Sequence, residues 1–484
     1  MNMRYFPHSL VVLVFGIAVL FAFANQTVIF QDPDTLWHIR AGDLIRQHGI
    51  DSNEPWSWTA GDYPWINIAW LPDIAMSWLY ELGGLSLLAA CTLILFTLVI
   101  ASLAAIGLKL KATISIMALP LFYSAGILAE GMLARPQLLS LLFAAAVYAL
   151  LRFAHTRTLL WLLPLYLLWS NSHGGYITMF VIIGMFFIEA VVQNQTTKAK
   201  WLALIAAGCA LLTLANPYGV HILSATLAVL STPANQLLHE WQTTAPAQYL
   251  YLLGWLVLMV IAGGMRSKEI PLADKLLAIF WLVMAMASLR MTYFAAIFSF
   301  PYLVQALSAW QKTLPTLTKD FQALSSDPMR WKISLTAVAL IVFLLSPWRS
   351  YILSDISLPE HIAPKVEVEF LAANYPQLKL MNHYDFGGYL IYRRDLGLEP
   401  FIDGRAETAY PRTLIIDYFV LQKLDIGWEK VAADYGIQAF LLPLKDKDGI
   451  SRSPQIAILD QSPQWKRVFT GDIAAVYIHR NLSR

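Results

Sequence analysis

Gln31-Asp32-Pro33-Asp34-Thr35-Leu36-Trp37-His38 follows the first long apolar run of the chain and sets two carboxylates one residue apart. That position is the mouth of a membrane, where a charge is costly and is usually kept for function. Upstream, the apolar run from Ser9 to about Phe30 comes after Arg4 and His8 and lacks a small-residue cleavage site. It is longer than a signal-peptide core and reads as a retained helix.

Working outward, the 484 residues are 57% hydrophobic and only 14% charged, with a mean hydropathy of +0.54. Soluble domains carry charge at about 25%. Many apolar runs reach the ~20 residues that a helix needs to cross a bilayer, which disfavours a β-barrel of short alternating strands. The fold class expected is an α-helical polytopic membrane protein. Cys91 and Cys209 both lie in apolar runs, leaving no loop cysteine for a disulfide or a thiolate metal site. The net charge of +2 comes with scattered basic residues and no basic stripe, so nucleic acid is not an expected partner.

The basic residues report topology instead. Arg4, Lys109 and Lys111, Arg152 and Arg157, Lys198 and Lys200, Arg266 and Lys268, then Lys312, Lys319, Arg330 and Lys332 fall in every second loop. The positive-inside rule puts these loops and the N-terminus in the cytoplasm. About eleven spans then fit, the last from about Ile333 to Leu345, with Val220 to Leu238 readable as loop, re-entrant segment or two short helices. Residues 1–346 form the expected transmembrane domain, with a long first external loop at 31–80, and 347–484 an external domain. In that tail Lys365 to Ala373 and Trp428 to Tyr435 have helical spacing, whereas Leu378 to Met381, Tyr389 to Tyr392, Ala439 to Leu442, Ile456 to Leu459 and Ala474 to Ile478 are strand-like. A small α/β domain results.

On this topology the polar clusters fall at outer span ends: Asp32 to Glu54, Arg135-Pro136-Gln137, Asn171 to Gly175, Asn216 to Gly219, His239-Glu240-Trp241 and Arg290. Their common face predicts one outward polar cavity. Asp32 and Asp34 are suited to act as general base or to hold a divalent cation such as Mg or Mn. The same residues also suit a turn that caps a helix starting near Thr35. Trp37 and His38 adjoin them. Trp56, Trp58, Trp65 and Trp70 read either as interfacial anchors or as an amphipathic element along the outer surface. Arg135, His173 and Arg290 suit a phosphate or pyrophosphate, the arginines through their fork of donors; snorkelling arginines and a satisfied core histidine are the alternatives. Asn171, Asn216, Tyr218, Glu240 and Trp241 complete the expected cavity. In the tail, Asp403-Gly404 reads as a turn and Arg405 as the partner of a neighbouring carboxylate. No P-loop, dinucleotide fingerprint, nucleophile elbow or zinc-protease motif occurs.

A helix leading outward into Asp-x-Asp, a long first external loop, spans with polar outer ends and an external C-terminal domain together resemble the GT-C class of integral-membrane glycosyltransferases. The stretches Asp32 to Gly42, Arg135 to Gln137, Leu168 to Gly175, Asn216 to Gly219 and Phe401 to Arg405 look like a bacterial branch of that class. The resemblance runs from about Asp32 to Tyr477. It implies a polyprenyl-phosphate-linked sugar donor, a lipid, glycan or protein acceptor, an inner-membrane location, and a first-loop carboxylate, Asp32 or Asp34, that activates the acceptor hydroxyl, in some members with a divalent metal. A transporter or flippase and a non-catalytic assembly subunit are the rival readings.

Overall fold

The computed structural model describes residues 13–14, 16–18, 29–61, 63–231, 254, 267–311, 358–445 and 451–482. In chain order its main helices and strands are α1 (Asp34–His48), α2 (Trp70–Lys109), α3 (Ile114–Glu130), α4 (Gln137–Phe153), α5 (Leu162–Ser170), α6 (Thr178–Val192), α7 (Thr196–Leu212), α8 (His221–Ser231), α9 (Leu272–Ala287), α10 (Thr292–Gln311), α11 (Lys365–Asn374), β1 (Leu380–Asn382), α12 (Tyr384–Tyr392), α13 (Arg412–Lys423), α14 (Trp428–Tyr435), β2 (Ala439–Pro443), α15 (Pro454–Gln461), β3 (Trp465–Thr470) and β4 (Ala474–His479). The described residues fall into two compact units. One draws on Met1–Ile29, Leu85–Val220 and Asn235–Ile356, the other on Phe30–Gly84, His221–Ala234 and Ser357–Arg484. Residues 31–80, the expected first external loop, therefore pack in the same unit as the C-terminal segment.

The first unit is helical. Trp70–Lys109, which enters this unit at Leu85, Gly174–Val192, Thr196–Ala215 and Leu289–Gln311 are long and apolar enough to cross a membrane, and α3 and α4 are shorter apolar helices. The protein is a membrane protein. Most of the first expected span and all of the last lie outside the described residues, so the count of about eleven stays an expectation. The stretch from Val220 to Leu238 begins with the short helix α8, and its remainder lies outside them, as do Glu240 and Trp241. Helix α2 breaks at Gly83 and Gly84, and the two units divide there. Gly84 has φ +60° and ψ −157°, a conformation that only glycine adopts readily, which places a deliberate bend inside a continuous run of helix.

The second unit is a mixed α/β structure around a four-stranded sheet of order β1-β2-β4-β3. β1 and β2 are parallel, whereas β4 pairs antiparallel with both β2 and β3. Alternate sides of β2 feed two cores, Phe440 and Leu442 into one and Ala439 and Leu441 into the other. The expected strands at 439–442 and 474–478 and helices at 365–373 and 428–435 are present. Two expected strands are helices instead. Tyr389 to Tyr392 belongs to α12, whose His383 side chain accepts from the Asp385 N–H at 3.3 Å and so caps the start. Ile456 to Leu459 belongs to α15, where Pro454 sits in the first turn. There its fixed φ suits the helix and its missing N–H is no loss. The tryptophan-rich loop also differs from expectation: Trp56 and Trp65 are core residues of this unit, neither interfacial anchors nor part of a surface element.

Candidate functional site

Helix α1 begins where the Asp32 carboxylate, half-buried, accepts the Asp34 N–H at 2.8 Å. Asp34 lies in the first turn, at the positive end of the helix dipole, and Arg46 and His48 lie in the last turn. Gly49, with φ +82°, stops the helix. The capping reading of Asp-Pro-Asp is thus correct for Asp32, and it leaves the carboxylate of Asp34 for other contacts.

Those contacts come from the C-terminal segment of the same unit. A Cβ on Gly404 would overlap Asp34 Oδ1 and lie 3.3 Å from the indole nitrogen of Trp37, so only glycine lets the Asp403-Gly404-Arg405 turn reach the start of α1. Likewise a Cβ on Gly388 of α12 would overlap the Pro33 carbonyl, and one on Gly387 would overlap that of Ile402. The Trp37 indole N–H is buried without a hydrogen-bond partner among the described residues, and Asp34 itself is 7% exposed. A carboxylate and an orphan donor therefore share one enclosed corner.

Arg405 fixes that turn. Its guanidinium is buried, bonds Asp403 at 2.8 Å through Nε and Glu54 at 2.5 Å, and is boxed by Trp56, Trp65 and Tyr410 with ring centroids 4.5, 4.9 and 5.7 Å away. The hydroxyl of Tyr410 donates to Asp403. Burial alone would make the guanidinium easier to deprotonate, but Asp403, Tyr410 and Glu54 outweigh it and raise its pKa above the usual arginine range. Burial and then Asp403 push the Tyr410 phenol well above its ordinary value. The expected pairing of Arg405 is real, and it is a buried network of two carboxylates about one cation.

His38, one turn along α1, donates or accepts through Nδ1 with Asp73 Oδ1 at 2.6 Å, and Asp73 Oδ2 accepts from Asn67 at 2.7 Å. Asp73 is wholly buried. An imidazole oriented by a carboxylate through Nδ1 presents Nε2 as its second working nitrogen, the arrangement that fixes tautomer and ring direction in acid–base sites. Gly42 makes this packing possible, since a Cβ there would overlap the Asp73 carbonyl and come 2.6 Å from Ser77 Cβ.

The helical unit holds the other expected residues at one end. His173 Nδ1 accepts the Gly175 N–H at 3.0 Å and lies 2.8 Å from Ser140 Oγ, which in turn accepts the Trp169 indole N–H at 2.7 Å. Because a backbone N–H can only donate, Nδ1 carries no proton and Nε2 is the N–H of this ring. Ser140 stands in the first turn of α4, directly after Arg135 and Pro136. Asn216 donates to Asn171 Oδ1 and to the Ser170 carbonyl, each at 3.1 Å, and its own Oδ1 takes the Tyr218 N–H at 3.0 Å. A Cβ on Gly131 would lie 2.8 Å from the ring of Tyr293, which joins the Arg290 turn to the same end. Arg135 and Arg290 are both half-buried.

Of the residues expected to share one cavity, the structure places Asp32, Asp34, Trp37 and His38 in one unit, and Arg135, Asn171, His173, Asn216, Tyr218 and Arg290 in the other. Sequence reasoning missed the joining residues: Asp73 and Asn67 behind His38, Ser140 behind His173, and Glu54 behind Arg405. The glycines of the motifs at 387–388 and 404 were the available signal for close approach. Among the described residues no three His, Cys, Asp or Glu side chains converge as a metal cage, so a cation at Asp32 and Asp34 would have to take its other ligands from water and substrate.

No protein-family model matches the sequence, and no curated protein sequence matches it. Among solved structures, the chain is similar to an archaeal oligosaccharyltransferase, AglB from Archaeoglobus fulgidus, in complex with an inhibitory peptide and a dolichol-phosphate. The TM-score is 0.59 at 12% identity, over 90% of this chain and 69% of that one. The fold is of the GT-C type.

Proposed function

We propose that this protein is a membrane glycosyltransferase, from a bacterial branch of the GT-C class, that moves a hexosyl or pentosyl group from a polyprenyl-phosphate-linked donor to a lipid, glycan or protein acceptor. The reaction takes place at the outer face of the inner membrane. The observation that carries this reading is the Asp32-Pro33-Asp34 turn, enclosed by Gly404 and Gly388, in a chain whose fold is similar to that of an archaeal oligosaccharyltransferase. The dolichol-phosphate of that neighbour supports a lipid-linked donor.

In this scheme Arg135, Arg290 and the Nε2–H of His173 hold the donor phosphate as point and forked donors. The acceptor oxygen forms a bond to the anomeric carbon from the face opposite the phosphate. The carbon–oxygen bond to phosphate breaks, its electron pair stays on the phosphate, and the acceptor proton passes to the Asp32/Asp34 pair, with inversion at carbon. Donors aimed at the leaving phosphate act where charge develops and so lower the barrier. The Trp37 indole N–H and His38, held by Asp73, orient the acceptor. A divalent cation, Mg or Mn, when bound by Asp32 and Asp34, would supply further positive charge at the phosphate.

The test is transfer of radiolabelled sugar from a panel of polyprenyl-phosphate sugars by the purified protein, comparing wild type with Asp34→Ala and Asp32→Ala, with and without chelator. Transfer abolished by either substitution supports the proposal, and sensitivity to chelator supports the cation. Lipid binding without transfer from any donor would move the weight to a flippase, and full activity in both variants would remove the carboxylates from the mechanism.

A further inference from the structure

The helical unit has a second polar end. Helices α4, α6, α7 and α9 place Arg135, His173, Asn216 and Arg290 at one set of termini, and the opposite termini carry Arg152, Glu189, Lys198 and Lys275. These converge: Arg152 pairs with Glu189 at 3.1 Å and with Asp274 at 2.7 Å. The remaining oxygen of Glu189 accepts the Ala273 N–H at 2.9 Å, at the start of α9. A cavity of about 460 Å3 lies here, and Arg152, Lys198, Lys268, Lys275, Glu189 and Glu269 are on its wall.

The charge around this cavity is unbalanced. Glu189 and Asp274 meet the charge of Arg152, but Lys198, Lys268 and Lys275 form no ion pair among the described residues. With Asp274 counted behind the wall, the four cations Arg152, Lys198, Lys268 and Lys275 face the three carboxylates Glu189, Asp274 and Glu269, an excess of one positive charge, and the charge of Glu189 acts on Lys198 as well. Gln195 and Leu272, at the starts of α7 and α9, also line it, so two helix N-termini add positive potential. Beside it on α6, Ile188, Val191 and Val192 are exposed apolar side chains. The cavity thus adjoins a surface for hydrocarbon while its wall suits an anion. By the positive-inside rule this end faces the cytoplasm, whose leaflet attracts basic groups through its acidic lipids.

We infer that this cavity binds the phosphate headgroup of an anionic phospholipid, with its acyl chains along Ile188, Val191 and Val192. The site is separate from the proposed transfer chemistry and does not depend on it.

Full-length protein in detergent is titrated with phosphatidylglycerol, phosphatidylcholine and inorganic phosphate, with bound lipid read by native mass spectrometry and stabilisation by thermal unfolding. Wild type should retain phosphatidylglycerol over phosphatidylcholine and gain in Tm from it. The triple variant Lys198→Gln/Lys268→Gln/Lys275→Gln should bind phosphatidylglycerol roughly 100-fold more weakly, at about fivefold for each charge. Lys268 is exposed, so Lys268→Gln alone leaves the packing untouched and should lose about fivefold even if the triple variant fails to fold. Undiminished binding in the variants, or equal uptake of phosphatidylcholine, would overturn the inference. Inorganic phosphate raising Tm as much as phosphatidylglycerol would also overturn it, by giving the cavity to a soluble anion.

Discussion

A methyl group at residue 404 would occupy space now held by the Asp34 carboxylate and lie 2.8 Å from its Cγ. The backbone of Gly404 is outside the left-handed region, so the penalty of Gly404→Ala comes from overlap alone. The expected outcome is a loss of about 1–3 kcal/mol in stability with displacement of Asp34, and at least a tenfold fall in sugar transfer. Gly397→Ala is the control: with φ +72° and open space around it, it should lose about 1–2 kcal/mol through backbone strain and leave transfer intact. Thermal unfolding and the transfer assay on both variants separate the two effects. Arg405→Met leaves Asp403 and Glu54 buried without their cation and should destabilise by about 3–5 kcal/mol; adding Glu54→Gln and Asp403→Asn should recover part of this. Urea unfolding of the three proteins checks it. Asp403 was legible in the sequence as a partner because it lies two residues away. Glu54 was not, since nothing local in a chain records a contact made across more than three hundred residues.

Elements whose hydrophobic period was unopposed were the ones readable in advance. β2 and β4 are short apolar runs, and α14 keeps one polar face. α12 defeats such reading because two glycines, each unfavourable in a helix by about 1 kcal/mol, precede a Tyr-Leu-Ile-Tyr run that favours strand. Close packing of those glycines on Pro33 and Ile402 overrides the local preference. In the helical unit, the tie between α4, α5 and the His173 turn rests on Ser140. Ser140→Ala removes the acceptor of the Trp169 N–H and leaves a buried donor unmet, an effect of about 1–3 kcal/mol on stability. It also removes one restraint on the His173 ring. If His173 holds donor phosphate, KM for the donor should rise several-fold while kcat moves little; a purely structural Ser140 would lower the amount of folded protein without shifting KM.

At the scale of the whole molecule, composition alone decided the solvent, and loop charges predicted which termini cluster. The helical unit agrees with that clustering: Arg152, Lys198 and Lys268, drawn from three separate loops, line one cavity, and Ser140, His173, Asn171 and Asn216 lie at the other end. What periodicity could not reveal is that the loop at 31–80 folds with the C-terminal segment, because its tryptophans suit a membrane surface and a soluble core equally well. The proposed reaction depends on the direction of the chain across the membrane, since a donor with its sugar outside would meet Asp34 only if α1 is outside. In a background with Cys91 and Cys209 replaced by serine, Lys430→Cys and Lys200→Cys each place a thiol on an exposed side chain, one in the C-terminal segment and one at the start of α7. A membrane-impermeant maleimide should label Lys430→Cys in intact spheroplasts and Lys200→Cys only after lysis. The reverse pattern would put Asp32 and Asp34 in the cytoplasm, where an outward-facing sugar cannot reach them, and the proposed reaction would fall with it.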